Sequence, residues 1–294
     1  MTDIEEEFFL YHVQFPGLGI SINVDRVAVS IGGFDIYWYG IIIGIGVLLA
    51  LIFAFKNLKY FGINSDAFTD CAIIGFISGI VGARLYYIIF RWEDYSHDLI
   101  SIFDIHSGGL AIYGGVIGGL LAGVITAKIK KVPILAALDI AVMGFLIGQG
   151  IGRWGNFVNQ EAFGTETDLP WRMVSENTNN IGVHPCFLYE SIWCLMGFGL
   201  LYLFSRKYRK YDGQIFLLYL VWYGFERMIV EGLRTDSLYI FDLRVSQILA
   251  GITVIVGTVL LIAFRKRTEK AVDRENKTET GETNGTERLD NKNT

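Results

Sequence analysis

The residues best suited to chemistry are ionisable groups set into apolar stretches: Arg84, Asp139, Arg153, Glu161, Glu190, Glu226, Arg227, Glu231 and Arg234. A charge inside a membrane span costs roughly 3 kcal/mol or more, so such groups pair with one another or serve a function. Tyr223, Arg227, Glu231 and Arg234 follow at spacings of four, four and three residues, which puts them on one helix face. An Arg227–Glu231 pair that only holds helices together is one reading of this stripe. The other starts from the positive charge left over, because guanidinium groups match phosphate oxygens. Arg84 and Asp139 lie deeper, where mutual pairing or contact with the backbone is expected.

A second cluster is Gly152-Arg153-Trp154-Gly155-Asn156-Phe157-Val158-Asn159-Gln160-Glu161-Ala162-Phe163-Gly164. It combines one guanidinium, two amides and one carboxylate with glycines that permit close backbone approach. Arginine and amides can hold a phosphodiester and its hydroxyls, while Glu161 can orient the arginine or accept from a hydroxyl. No metal cluster is read, because His12, His97, His106 and His184 lack ligand spacing. Cys71, Cys186 and Cys194 are too few for a disulfide framework and read as small buried hydrophobes.

Long apolar blocks must position these groups. The chain has 294 residues, 52% of them hydrophobic and 19% charged, and much of the charge lies in short loops and the C-terminal tail. A bilayer core of about 30 Å needs about 20 apolar residues in helix. Residues 36–55, 71–90, 107–127, 132–152, 185–205, 213–233 and 245–264 meet that need, which predicts an all-α polytopic membrane protein of seven transmembrane helices. Lysines cluster in alternate connections, at Lys56/Lys59, Lys128/Lys130/Lys131, Lys207/Lys210 and Lys266/Lys270, and the other connections hold none. By the positive-inside rule that side is cytoplasmic, so the N-terminus is expected outside and the C-terminus inside. Arg153, Glu161, Glu190, Arg227, Glu231 and Arg234 then fall at or near the external ends of spans four to six.

Three regions complete the expected organisation: an external N-terminal segment 1–35, the membrane domain 36–265 with an external loop 153–183, and a tail 266–294. The loop is too long for a passive connector, and the polar tail is expected to be disordered. Residues 1–10 lack a basic n-region, so no cleaved signal peptide is expected. Glycines at Gly75/Gly79, Gly114/Gly118 and Gly119/Gly123 suit tight helix packing. A transporter reading lacks support, since no inverted repeat or recurring broken-helix pattern is visible.

The cluster from Gly152 to Gly164 resembles the signature of prolipoprotein diacylglyceryl transferases, Gly-Arg-x-Gly-Asn-Phe-apolar-Asn-x-Glu-x-x-Gly, and every fixed position matches. Trp38-Tyr39-Gly40, Gly82-Ala83-Arg84, His184-Pro185 with Leu188-Tyr189-Glu190, and the block 223–234 resemble further motifs of that family. One position departs: Tyr113, in Gly108-Gly109-Leu110-Ala111-Ile112-Tyr113-Gly114-Gly115, stands where many members carry a His with a catalytic part. Tyrosine, with a reference pKa of about 10, is a poor general base near neutrality, so the proton acceptor stays open.

The resemblance implies a bacterial plasma-membrane enzyme acting near the external leaflet on phosphatidylglycerol and on prolipoprotein signal peptides with a lipobox. It implies no cofactor and no nucleic acid. The substrate thiol would attack the glycerol carbon, and glycerol 1-phosphate would leave. Arg227 is then assigned to the leaving phosphate and Arg153 to the lipid head group. Tyr39 and Tyr113 orient the thiol or the phosphate, and Asn156, Asn159 and Glu161 shape the head-group site. Glu231 and Arg234 fix Arg227, and Gly164 is a backbone-geometry position.

Overall fold

The structure is a computed structural model that describes residues 10–96, 98–104, 108–235, 239–240 and 243–290. His97 and His106 lie outside the described residues. Four strands come first: β1 (Leu10–Phe15), β2 (Ile20–Asp25), β3 (Val27–Ile31) and β4 (Phe34–Tyr37). They form two antiparallel hairpins, β1 with β2 and β3 with β4. Gly32 and Gly33 turn the second hairpin at φ +59° and +87°, values that side chains disfavour and that primed hairpin turns require. Apolar-block counting has no means of finding these strands, so the helical class carries small β additions at its N-terminus.

Helices α1 (Trp38–Asn57), α2 (Ser65–Phe90), the short α3 (Trp92–Tyr95), α4 (Ile112–Ile129), α5 (Ile134–Asn159), α6 (Cys186–Lys207) and α7 (Gln214–Leu233) follow. A two-stranded ribbon, β5 (Tyr239–Ile240) and β6 (Leu243–Arg244), leads into α8 (Val245–Asp290). Helix boundaries follow local capping chemistry. α2 begins six residues before the expected span because Asn64 caps it, accepting from the Ala67 amide at 3.0 Å. α4 begins five residues late because Gly108 and Gly109 take φ +93° and +74°. α8 runs from Val245 to Asp290.

Among the described residues six helices are long and apolar enough to cross a membrane: α1, α2, α4, α5, α6 and α8 as far as Arg267. The remaining expected span is α7, whose length fits but whose Glu226, Arg227 and Glu231 keep it out of that set.

The chain divides into two compact units, Met1–Leu51 with Val142–Thr294, and Ile52–Ala141. In the second unit α2 packs on α4 through glycines. A side chain on Gly82 would come within 2.5 Å of the Gly114 carbonyl oxygen, and one on Gly118 within 2.6 Å of the Ser78 oxygen. Gly75 meets Gly119 and Gly123 in the same way. Arg84, buried at the end of this pair, donates to four backbone carbonyls: Ile102 at 2.8 Å, Gly108 at 2.9 Å, Gly109 at 3.0 Å and Ser101 at 2.6 Å. Of its two expected roles, contact with the backbone is the one observed. Asp139 is fully buried.

In the first unit an apolar cluster of Val13, Phe15, Phe157, Met173, Val183 and Phe187 joins the first hairpin, the ends of α5 and α6, and the connection between them. Gln14 and Val174 exchange backbone hydrogen bonds at 2.8 and 2.9 Å. The N-terminal segment and the long connection are therefore structured together. α6 and α7 are joined by a stacked pair, Trp193 and Trp222, with ring centroids 4.5 Å apart and each indole N–H donating to the other's carbonyl.

Candidate active site

The site is built at the end of α5. The expected loop from 153 begins later than composition indicated, since Arg153, Asn156 and Asn159 all ride on the last turns of the helix. The Gln160 amide donates to Phe157 and the Glu161 amide to Asn156, both at 3.1 Å, with Gln160 left-handed at φ +52°. That is a Schellman-type ending, and it turns the chain back on the helix. Glu161 thereby accepts from the Asn156 amide at 2.9 Å and from the Asn159 amide at 3.3 Å. The Asn156 oxygen in turn accepts from Arg153 Nη1 at 3.2 Å. The signature is thus one hydrogen-bonded chain, Arg153 to Asn156 to Glu161, with Asn159 as a second donor.

Glu190, in the second turn of α6, joins this chain to α7. Its carboxylate pairs with Arg153 Nη2, with Arg227 Nη1 at 3.4 Å and with Arg234 Nη1 at 3.5 Å. Arg227 Nη2 pairs with Glu231 at 2.6 Å, four residues along the same helix. Arg244 donates to the Glu231 backbone oxygen. α7 ends at Leu233, so Arg234 leaves the stripe and caps the helix from extended backbone, yet it still reaches Glu190.

Accessibility divides the cluster. The Glu190 and Glu231 side chains are each 2% exposed, whereas Arg153, Arg227 and Arg234 keep 21%, 19% and 12%. Three guanidinium groups therefore face two buried carboxylates, and the arginine side chains stay partly accessible. That combination suits an anion with several oxygens, and a phosphate above all.

Gly164 fixes how the elements meet. Its amide donates to the His184 carbonyl at 2.9 Å, and the next amide, of Thr165, donates to the Leu233 carbonyl at 2.7 Å. A Cβ at Gly164 would lie 2.7 Å from the His184 Cβ and 3.1 Å from the Leu233 oxygen. Any side chain there would separate the start of α6 from the end of α7. His184 pairs with the Tyr189 hydroxyl at 3.2 Å, and burial pushes its imidazole down towards the neutral form. It works as a connector.

Tyr39 packs on α5 at Gly155, where a Cβ would come within 2.7 Å of its ring. Tyr39 and Asn159 line a cavity of about 520 Å³ together with Arg26, Ile36, Tyr37, Gly40 and Ile41. Tyr113 belongs to the other unit, in the first turn of α4, and is half exposed. The three cysteines form no disulfide among the described residues.

The structure brings Arg153, Asn156, Asn159, Glu161, Gly164, Arg227, Glu231 and Arg234 into one region of the first unit. It adds Glu190, whose place as the shared acceptor no spacing rule reveals. Its signal in the sequence is a lone charge in an apolar span.

Fold and site together define a multi-pass membrane protein with a cluster of arginines and glutamates held at the ends of three helices. Residues 26–263 match the prolipoprotein diacylglyceryl transferase family. The chain belongs to that family. It is 45% identical to the phosphatidylglycerol--prolipoprotein diacylglyceryl transferase of Finegoldia magna over 85% of this chain and 100% of that protein. The proteins of the same name from Clostridioides difficile and Bacillus cytotoxicus are each 43% identical, over 86% and 87% of this chain and 100% and 98% of theirs.

Proposed function

We propose that this protein transfers the diacylglyceryl group of phosphatidylglycerol to the thiol of a lipobox cysteine in a prolipoprotein, the first step of bacterial lipoprotein maturation. The observation that carries this reading is the convergence of Arg153, Arg227 and Arg234 on Glu190, with the arginine side chains left partly accessible. The cysteine sulfur attacks the glycerol carbon and forms a thioether. The carbon–oxygen bond to phosphate breaks, and glycerol 1-phosphate leaves with the electron pair.

Negative charge grows on the departing phosphate, and preorganised donors aimed there form the largest catalytic term in such reactions. Arg227 takes the leaving phosphate, and Arg153 takes the lipid head group. Asn156, Asn159 and Glu161 form the rest of the head-group site. Glu231 holds Arg227, and Arg234 anchors Glu190 from the far side. Tyr39 and Tyr113 orient the reacting groups by hydrogen bonding, and Gly164 keeps the two helix ends in contact. The nucleophile comes from the substrate, so the reaction calls on none of the protein's own cysteines and on no cofactor.

In this reading α7 is the seventh span, since its 20 residues reach about 30 Å. Lysines lie towards the cytoplasmic ends, the N-terminus is outside, and the site opens near the outer leaflet of the bacterial plasma membrane. The test is mass spectrometry of a lipobox peptide incubated with the purified protein and phosphatidylglycerol. A mass gain of one diacylglyceryl group is expected, and an unmodified peptide would overturn the assignment.

A further inference from the structure

The two N-terminal hairpins differ in how their apolar residues are covered. In the first, Val13 and Phe15 pack into the cluster with Phe157, Met173, Val183 and Phe187. The second lacks such cover among the described residues. Its register pairs Val29 with Ile36 and Ile31 with Phe34, and directly opposed residues of an antiparallel pair point to the same face. Those four side chains form an apolar face, with Val29 44%, Ile36 42%, Ile31 62% and Phe34 72% exposed. The opposite face carries another opposed pair, Ser30 and Asp35, whose hydroxyl donates to the carboxylate at 2.5 Å. Asp35 is the only charged residue between Val27 and Trp38.

A lone two-stranded hairpin is marginal in water, and leaving four apolar side chains uncovered forgoes the burial that would hold it. The element that follows supplies the cover. β4 runs without a break into α1, Tyr37 being followed directly by Trp38, and the Trp38 amide donates to the Arg26 carbonyl at 3.0 Å. α1 is long and apolar enough to cross a membrane. Its 20 residues reach about 30 Å, the thickness of the hydrocarbon core. Trp38 therefore stands at the edge of that core, and the hairpin begins where the head groups begin. Tyr37, Trp38 and Tyr39 at this junction are all exposed, as in the aromatic belts that mark a membrane–water interface. Elements with one apolar and one polar face lie in that layer, the apolar side sunk about 5–10 Å into the boundary with the acyl chains.

We propose that the β3–β4 hairpin is an interfacial membrane anchor, with Val29, Ile31, Phe34 and Ile36 turned to the lipid and Ser30 and Asp35 turned to water. The Gly32-Gly33 tip adds neither charge nor bulk between Ile31 and Phe34, so both can enter the lipid together. The anchor follows from the membrane-protein class and stands apart from the reaction proposed above. It bears on the site through its root. Ile36 and Tyr37 line the same cavity as Tyr39 and Asn159. An anchored hairpin holds that wall at head-group depth, within reach of a phospholipid moving in the leaflet.

The experiment places the photoreactive residue p-benzoylphenylalanine at Ile31, Phe34, Ser30 or Asp35, one position at a time. The full chain is reconstituted into vesicles of phosphatidylglycerol and phosphatidylethanolamine, with and without a lipobox peptide. Irradiation joins the benzophenone to a carbon–hydrogen bond lying against it, and mass spectrometry weighs the adduct. A mass gain of one phospholipid, linked through an acyl chain, is expected at Ile31 and Phe34 and not at Ser30 or Asp35. Hydroxyl-radical footprinting of the unaltered chain in the same vesicles gives a second reading that needs no substitution. There Ile31 and Phe34 should be protected as Ile45 and Leu48 of α1 are. Lipid adducts spread evenly over both faces would overturn the proposal. So would adducts at Phe34 to a second copy of the chain or to the peptide in place of lipid, or free oxidation of Ile31 and Phe34.

Discussion

Glu231 lies one turn beyond Arg227 and holds its second guanidinium nitrogen at 2.6 Å, leaving the first to share Glu190 with two other arginines. The guanidinium is therefore fixed from two directions before any ligand arrives. Preorganisation of this kind lets a donor stabilise developing charge without reorganising at the moment of reaction.

Arg227→Ala should abolish measurable transfer, a loss of about 100-fold or more, and should lower the melting temperature because it leaves the buried Glu231 carboxylate without its arginine. Arg227→Lys keeps a charge but loses the planar fork, so it should recover only a fraction. Rates from peptide mass spectrometry, beside melting curves in detergent, check both. A wild-type rate for the alanine variant would remove Arg227 from the leaving-group position.

Removing Glu190 touches more partners. Three arginines would lose their common acceptor, and breaking a buried pair on one side costs about 3–5 kcal/mol. Glu190→Ala should therefore lower stability as well as activity. Unfolding curves of this variant and wild type in the same detergent check it, and equal stability would show that Glu190 does not hold the cluster together.

Gly164→Ala adds a single methyl group at a junction with no space for it. Overpacking typically costs about 1–3 kcal/mol, and here the strain falls on the contact between the start of α6 and the end of α7. Activity should fall more than tenfold although every charged residue is intact. Full transfer by this variant would mean that the junction has slack.

Tyr113→Phe tests the role of that hydroxyl. An orienting hydrogen bond is worth about 1 kcal/mol, so a loss of several-fold is expected, and Tyr113→His should be tolerated. A loss beyond about 100-fold in the phenylalanine variant would point to proton transfer by that hydroxyl in place of orientation. Initial rates with the lipobox peptide decide between them.

The sequence by itself determined the helical spans, because a bilayer demands long uncharged runs and these are visible without any pairing partner. It also picked out Arg153, Arg227, Glu231 and the amides of the signature, since charge inside an apolar block is rare enough to read locally. It did not reveal the N-terminal hairpins, whose strands are short and half-exposed and are defined by pairing across a turn. Nor did it reveal that α5 runs on to Asn159, because a Schellman ending with Gln160 in the left-handed region carries no glycine to announce it. Which charges meet was decided by tertiary structure alone. Glu190 becomes the shared acceptor only when α5, α6 and α7 converge. Spacing along one helix specifies a face, but a contact between helices depends on packing that no single segment encodes.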